Sequence, residues 1–73
     1  MHIFDVNQAV RLVVDDPQDI FHNSEGIIED VTVDRLHDTI YGIRLTKKIN
    51  RYLHDIADDV LVYFKGYELS LIE

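Results

Sequence analysis

Along most of the chain the apolar positions recur every second residue, the period of a strand that buries one face. In the segment 6–14, Val10, Leu12 and Val14 alternate with Arg11 and Val13, and β-branched side chains are frequent, which predicts a first strand. Asp15-Asp16-Pro17 ends it, because proline fixes φ and has no N–H to give to a ladder. Residues 17–25 read as a polar loop anchored by Ile20 and Phe21, with Asn23-Ser24-Glu25-Gly26 as a turn. A second strand over 26–33 carries Ile27, Ile28, Val31 and Val33, and its alternation slips at Glu29-Asp30. A β-bulge re-phases such a slip and bends the strand. Residues 34–38 form a polar turn around Leu36. In a third strand, 39–45, Tyr41, Ile43 and Leu45 share one face, with Gly42 on the other, where a neighbouring strand approaches closely.

The segment 46–59 follows another period. Ile49, Tyr52, Leu53, Ile56 and Ala57 recur at helical spacing, and Thr46 stands where a helix cap belongs. Asn50 and Asp55 weaken the helix, so the expectation is a loop with one or two helical turns. The competing reading is a helix that runs on to Phe64. Against it, Val60-Leu61-Val62-Tyr63-Phe64 is dense in β-branched and aromatic residues and reads as a fourth strand. Lys65-Gly66 breaks that strand, Tyr67-Glu68-Leu69 forms a short turn of 3₁₀ type, and 70–73 is a brief last strand. There is no internal repeat, low-complexity segment or linker, which predicts one domain over 1–73. Five short strands separated by turns point to a small barrel, and closure would remove exposed edges.

The closing run Val60-Leu61-Val62-Tyr63-Phe64-Lys65-Gly66-Tyr67-Glu68-Leu69-Ser70-Leu71-Ile72-Glu73 resembles that of SH3-like barrels: a strand, an aromatic, Glu-Leu, and a short strand ending in Ile. Val10-Arg11-Leu12-Val13 resembles their V-R-V opening strand, and Gly26-Ile27-Ile28-Glu29-Asp30-Val31 their G-x-V-x-x-V second strand. A small barrel protein of photosystem I, the variable chain of ferredoxin–thioredoxin reductase and small phage-encoded barrel proteins share this layout. The resemblance covers residues 6–45 and 60–73 and leaves 46–59 without a counterpart. It implies a mostly β, SH3-like five-stranded small barrel with a short helical insert before the fourth strand. It also implies Leu69 in the core and Glu68 accepting backbone N–H bonds. These are core and turn positions, so they speak for fold and not for function. The chain has no tryptophan, so the polyproline groove of signalling SH3 domains is not expected.

Composition narrows the function classes. The 73 residues contain no cysteine, which excludes disulfides and thiolate zinc sites, and 47% are apolar, enough for a core and against disorder. No window is apolar enough to cross a membrane, and Met1-His2-Ile3-Phe4-Asp5 lacks the basic start and apolar stretch of a secretory signal, so a cytoplasmic protein is expected. The formal net charge is −7, and all of the excess lies in residues 1–38, where nine acids face Arg11 and Arg35. A globally acidic protein repels nucleic acid, which makes that partner unlikely by default.

Several constellations bear on chemistry. Arg44, Lys47, Lys48 and Arg51 form the only basic cluster, readable as a phosphate or acidic-peptide contact or as charge balance with the acidic half. Asp15, Asp16, Asp19 and His22 offer oxygens for a cation, but they match no EF-hand loop, and a solvated loop with Asp15 or Asp16 capping a turn accounts for them. His54, Asp55, Asp58 and Asp59 supply half a metal site at most, or a solvated helix face. Of the tyrosines, Tyr41 and Tyr67 are expected in the core and Tyr52 and Tyr63 on the surface, which leaves no aromatic cage. Ser24 and Ser70 have no reason to pair with a histidine, and there is no glycine-rich phosphate loop, so no enzyme, cofactor or small-molecule substrate is expected.

The leading expectation is a non-catalytic binding or adaptor module that contacts a protein partner or copies of itself. Arg44, Lys47, Lys48, Ile49, Arg51, Tyr52, Leu53 and Ile56 are the candidate contact residues, because the insert holds more apolar area than a free loop normally shows. Two alternatives come from other classes. The acidic half imitates nucleic-acid charge and occupies a DNA- or RNA-binding protein, or the basic cluster binds RNA or the ribosome weakly.

Overall fold

A computed structural model describes residues 4–16 and 18–72. The strand-ending role assigned to Pro17, the first three residues of the N-terminal reading and Glu73 of the last strand lie outside these. The described chain is mostly β: β1 (Ala9–Leu12), β2 (Glu25–Val33), β3 (Thr39–Lys47), β4 (Leu61–Lys65) and β5 (Leu69–Leu71), with 3₁₀ turns at Arg51–Asp55 and Gly66–Glu68. All five strands join one antiparallel sheet in the order β4-β3-β2-β1-β5. Among the described residues no helix is long and apolar enough to cross a membrane.

The barrel expected from the sequence does not close. β4 and β5 are the two edges of an open sheet, and no pairing joins them. The chain leaves β4 through Gly66–Glu68 and crosses to β1, where β5 pairs Leu69 with Leu12 and Leu71 with Val10. β5 pairs three residues with β1, and among the described residues β4 is bonded only to β3.

The alternation places the core as expected. Val10, Leu12 and Val14 are buried, as are Tyr41, Ile43 and Leu45. β1 is nevertheless shorter than 6–14. Asn7 has φ 75°, which bends the chain out of the strand, although its N–H still reaches the Ile28 carbonyl at 2.7 Å. At the other end, Leu12 still exchanges bonds with Ser24 and Asn23, and Val13 donates to the Glu68 carbonyl at 2.7 Å on the β5 side. The bulge is where the pattern slips: the register passes from Ile28↔Ile43 to Asp30↔Gly42, leaving Glu29 extra. Gly26, Ile28 and Val31 therefore share the face of Leu45, Ile43 and Tyr41, while Asp30 turns outward.

β3 runs on to Lys47 because Lys47 pairs with Glu25, so Thr46 lies inside a strand and caps nothing. The helical turn begins later and is 3₁₀; its cap is Asn50, whose Oδ1 accepts from Tyr52 N–H at 2.9 Å. Phe21 anchors its loop edge-to-face on Phe64, with centroids 5.3 Å apart, whereas its neighbour Ile20 is exposed. Tyr67 also departs from expectation. It stands at the apex of the Gly66–Glu68 turn, 71% exposed, while Leu69 is buried in the core, where the resemblance placed it. Glu68 Oε1 accepts the Lys65 N–H at 3.0 Å, the backbone role that the barrel resemblance implied.

Gly26 is required by space. A Cβ there would stand 2.5 Å from Ile43 Cγ2 and 2.6 Å from the Arg44 carbonyl oxygen, and the backbone oxygen cannot swing aside. We expect Gly26→Ala to lower stability by about 1–3 kcal/mol, the range for overpacking, despite the small gain from a stiffer unfolded chain. Urea unfolding reads this directly, and a variant as stable as the parent would contradict the close approach.

Candidate functional site

The loop between β3 and β4 holds most of the candidate contact residues; a hydrogen bond and its packed side chains hold it to the rest of the fold, and Lys48 ties its two ends together. Ile49 N–H donates to Ser24 Oγ at 3.2 Å, and Ser24 is fully buried. Lys48 Nζ, its side chain largely covered, donates to the Ile56 carbonyl at 2.5 Å and to Asp58 Oδ1 at 3.0 Å. Within the 3₁₀ turn Leu53 is 0% exposed and packs in the main core, with Ile56 half-buried against it. Of the expected contact residues, Leu53 is thus a core residue; in this fold it is closed to any partner.

Other members of the set face outward together. Ile49 is 52% exposed and Tyr52 61%, and the Arg51 guanidinium lies 5.2 Å from the Tyr52 ring centroid. Lys47 is exposed at the end of β3. The basic cluster does not act as a unit. Arg44 pairs with Glu29, and Lys48 pairs with Asp58. The first pair is the balance with the acidic half that the sequence suggested; the second lies within the loop's own neighbourhood.

The acidic loops use several of their carboxylates locally. Asp16 Oδ1 accepts from Gln18 N–H, Asp19 Oδ1 from Phe21 N–H, and Asp34 Oδ1 from the N–H groups of Leu36 and Asp38. Glu25 pairs with Arg11 at 3.1 Å. His22 Nδ1 lies 3.1 Å from the Val14 carbonyl. Among the described residues no group of three or more His, Asp and Glu side chains gathers to hold a metal ion.

Two interactions escaped the sequence reading. One is the Ser24 staple. The other spans the outer face of the sheet, where Asp30, Gly42 and Tyr63 stand in one row across β2, β3 and β4. The Tyr63 ring lies over Gly42, within 2.9 Å of where a Cβ would stand, and its hydroxyl donates to Asp30 Oδ2 at 2.7 Å. An aromatic ring covering a strand glycine in this way replaces the missing side chain. The absence of a side chain on Gly42 was the available signal, but the row forms only once the bulge has turned Asp30 outward.

Comparisons with models of known protein families, with curated proteins and with solved structures find no match.

Two groups on this face titrate above their ordinary values. The hydrogen bond to Asp30 raises the Tyr63 phenol, with burial and the Asp30 charge adding to it. The hydrogen bond and charge of Asp38, 3.2 Å away, raise the Lys65 ammonium. A folded-state pKa above the unfolded one gives stability that is present in full below the unfolded value and lost as pH rises through the folded one. For Tyr63 and Lys65 that loss begins above about pH 10. We expect stability to decline with pH there, and Tyr63→Phe, which keeps the ring over Gly42, to decline less steeply. Parallel slopes for parent and variant in urea unfolding across that range would contradict the Tyr63–Asp30 bond.

Proposed function

We propose that this protein is a non-catalytic binding module that contacts another protein through the outward face of its β3–β4 loop. One observation carries the reading: Ile49 and Tyr52 are more than half exposed on a segment whose next residue, Leu53, is sunk in the core. A loop anchored at Leu53, at Ser24 Oγ and through Lys48 holds apolar side chains in water in a fixed arrangement. Fixed display of apolar and aromatic groups lowers the ordering cost of association. Arg51 beside Tyr52 adds an aromatic–cation pair of the kind enriched at binding hot spots.

The strand order and the 3₁₀ turn just before the last strand support an SH3-like layout as the scaffold, here with an open sheet. A cysteine-free chain suits a reducing compartment, so we place the protein in the cytoplasm. No observation favours the nucleic-acid mimic or the RNA-binding alternative. Asp16, Asp19 and Asp34 are engaged with backbone N–H groups, and Arg44 and Lys48 are paired with carboxylates.

A photo-crosslinking side chain at position 52, in cells producing the protein, should give a discrete adduct that Ile49→Asp suppresses. The same probe at Thr32, exposed on the outer sheet face, should give none. Equal labelling from both positions, or none from position 52, would sink the proposal.

A further inference from the structure

The open edge of β4 has a direction and a sequence that suit one occupant. Lys65 N–H donates to Glu68 Oε1, so it points away from β3. Backbone groups alternate along a strand, so the N–H and C=O of Leu61 and Tyr63 point to that same open side. Val62 and Phe64 are then the residues that exchange bonds with Ile43 and Tyr41. Among the described residues no backbone hydrogen bond from outside the ladder reaches Leu61 or Tyr63. The Tyr63 ring is drawn back over Gly42 by its bond to Asp30, so it leaves the edge uncovered. Such an edge is a template for another strand.

From this geometry we infer that two copies of the chain pair β4 to β4, antiparallel, about a twofold axis at Val62. In that register Leu61 of each copy faces Tyr63 of the other, and each of these rungs exchanges both backbone hydrogen bonds. The groups left open in one copy are the groups used. Both ends of the pairing are closed, by the Glu68 carboxylate on Lys65 N–H and by the turn in which Val60 N–H returns to the Ala57 carbonyl at 3.1 Å. Charge selects the occupant. Reversing one copy brings the turn holding Asp58 and Asp59 beside Lys65 of the second copy, at both ends at once. Asp58 is already held by Lys48, but Asp59 has no ionic partner among the described residues, and Lys65, which Asp38 meets at 3.2 Å within its own copy, would take Asp59 as a second carboxylate. A twofold interface is self-complementary in this way, with apolar Leu61 against Tyr63 and acid against base. The contact is small, so the dimer is a weak one. This inference is independent of the β3–β4 loop reading, which concerns Ile49 and Tyr52.

Sedimentation velocity over a concentration series tests it. The parent should dimerise, and Tyr52→Ser should dimerise equally. Asp59→Lys and Lys65→Glu should each weaken the dimer at least about tenfold, because like charges then meet at two symmetry-related places. An equimolar mixture of these two variants should recover association, since the cross pairs are again opposite in sign. A parent that stays monomeric, a dimer that both variants retain, or a mixture that fails to recover overturns the proposal. A measurement without variants reads the same edge. Amide exchange at Leu61 and Tyr63 should slow as parent concentration rises, and exchange independent of concentration overturns the pairing.

Discussion

A sheet with one apolar face and no helix to lie on it must find its cover elsewhere, and the rest of this structure follows from that constraint. Here the cover comes from loops and from the segment before β1. Phe4 stands edge-on to Tyr41, with centroids 5.4 Å apart, Phe21 stands edge-on to Phe64, and Leu53 enters from the β3–β4 loop. These side chains and the strand residues form one continuous cluster, in which Val10, Leu12, Ile28, Ile43 and Leu53 are completely buried. A chain of this length has little surface to bury, so each borrowed side chain matters to the whole.

The same need for a single wet face and a single dry face explains the bulge. β2 carries core-facing residues at 26 and 28 and again at 31, positions of opposite parity, and a regular strand would turn one set into water. One extra residue at Glu29 puts both sets inside. Its consequence is felt on the far side, where Asp30 arrives opposite Gly42 and within reach of the Tyr63 hydroxyl. A packing constraint on one face thereby builds the polar row on the other. That row holds the Tyr63 ring off the β4 edge.

The strands and the bulge were legible because a period of two, and a break in it, are local signals; Tyr41, Ile43 and Leu45 are the clearest case. Tyr67 and Leu69 were only half legible. Their order in a tight turn decides which of two apolar residues goes inside, and spacing alone does not carry that. Closure was not legible, because it depends on whether β4 and β5 meet, and that is set by where a three-residue turn sends the chain. The β3–β4 loop showed helical spacing, yet Asn50 starts a 3₁₀ turn of five residues instead of an α-helix. Within the candidate site, Ile49 and Tyr52 read correctly as apolar residues on a loop, but the loop's burial of Leu53 depends on partners such as Ser24 that lie far away in sequence.

What the loop does for the core and what it offers to a partner are therefore two faces of one segment. Adjacent residues, Tyr52 and Leu53, divide the roles, which makes them the sharpest comparison available. In urea unfolding Leu53→Ala should lose about 2–5 kcal/mol, the range for emptying a buried leucine site, while Tyr52→Ala stays within about 0.5 kcal/mol of the parent. Equal and small losses at both positions would mean that the loop is not part of the core, and the account of how this sheet covers its apolar face would fail.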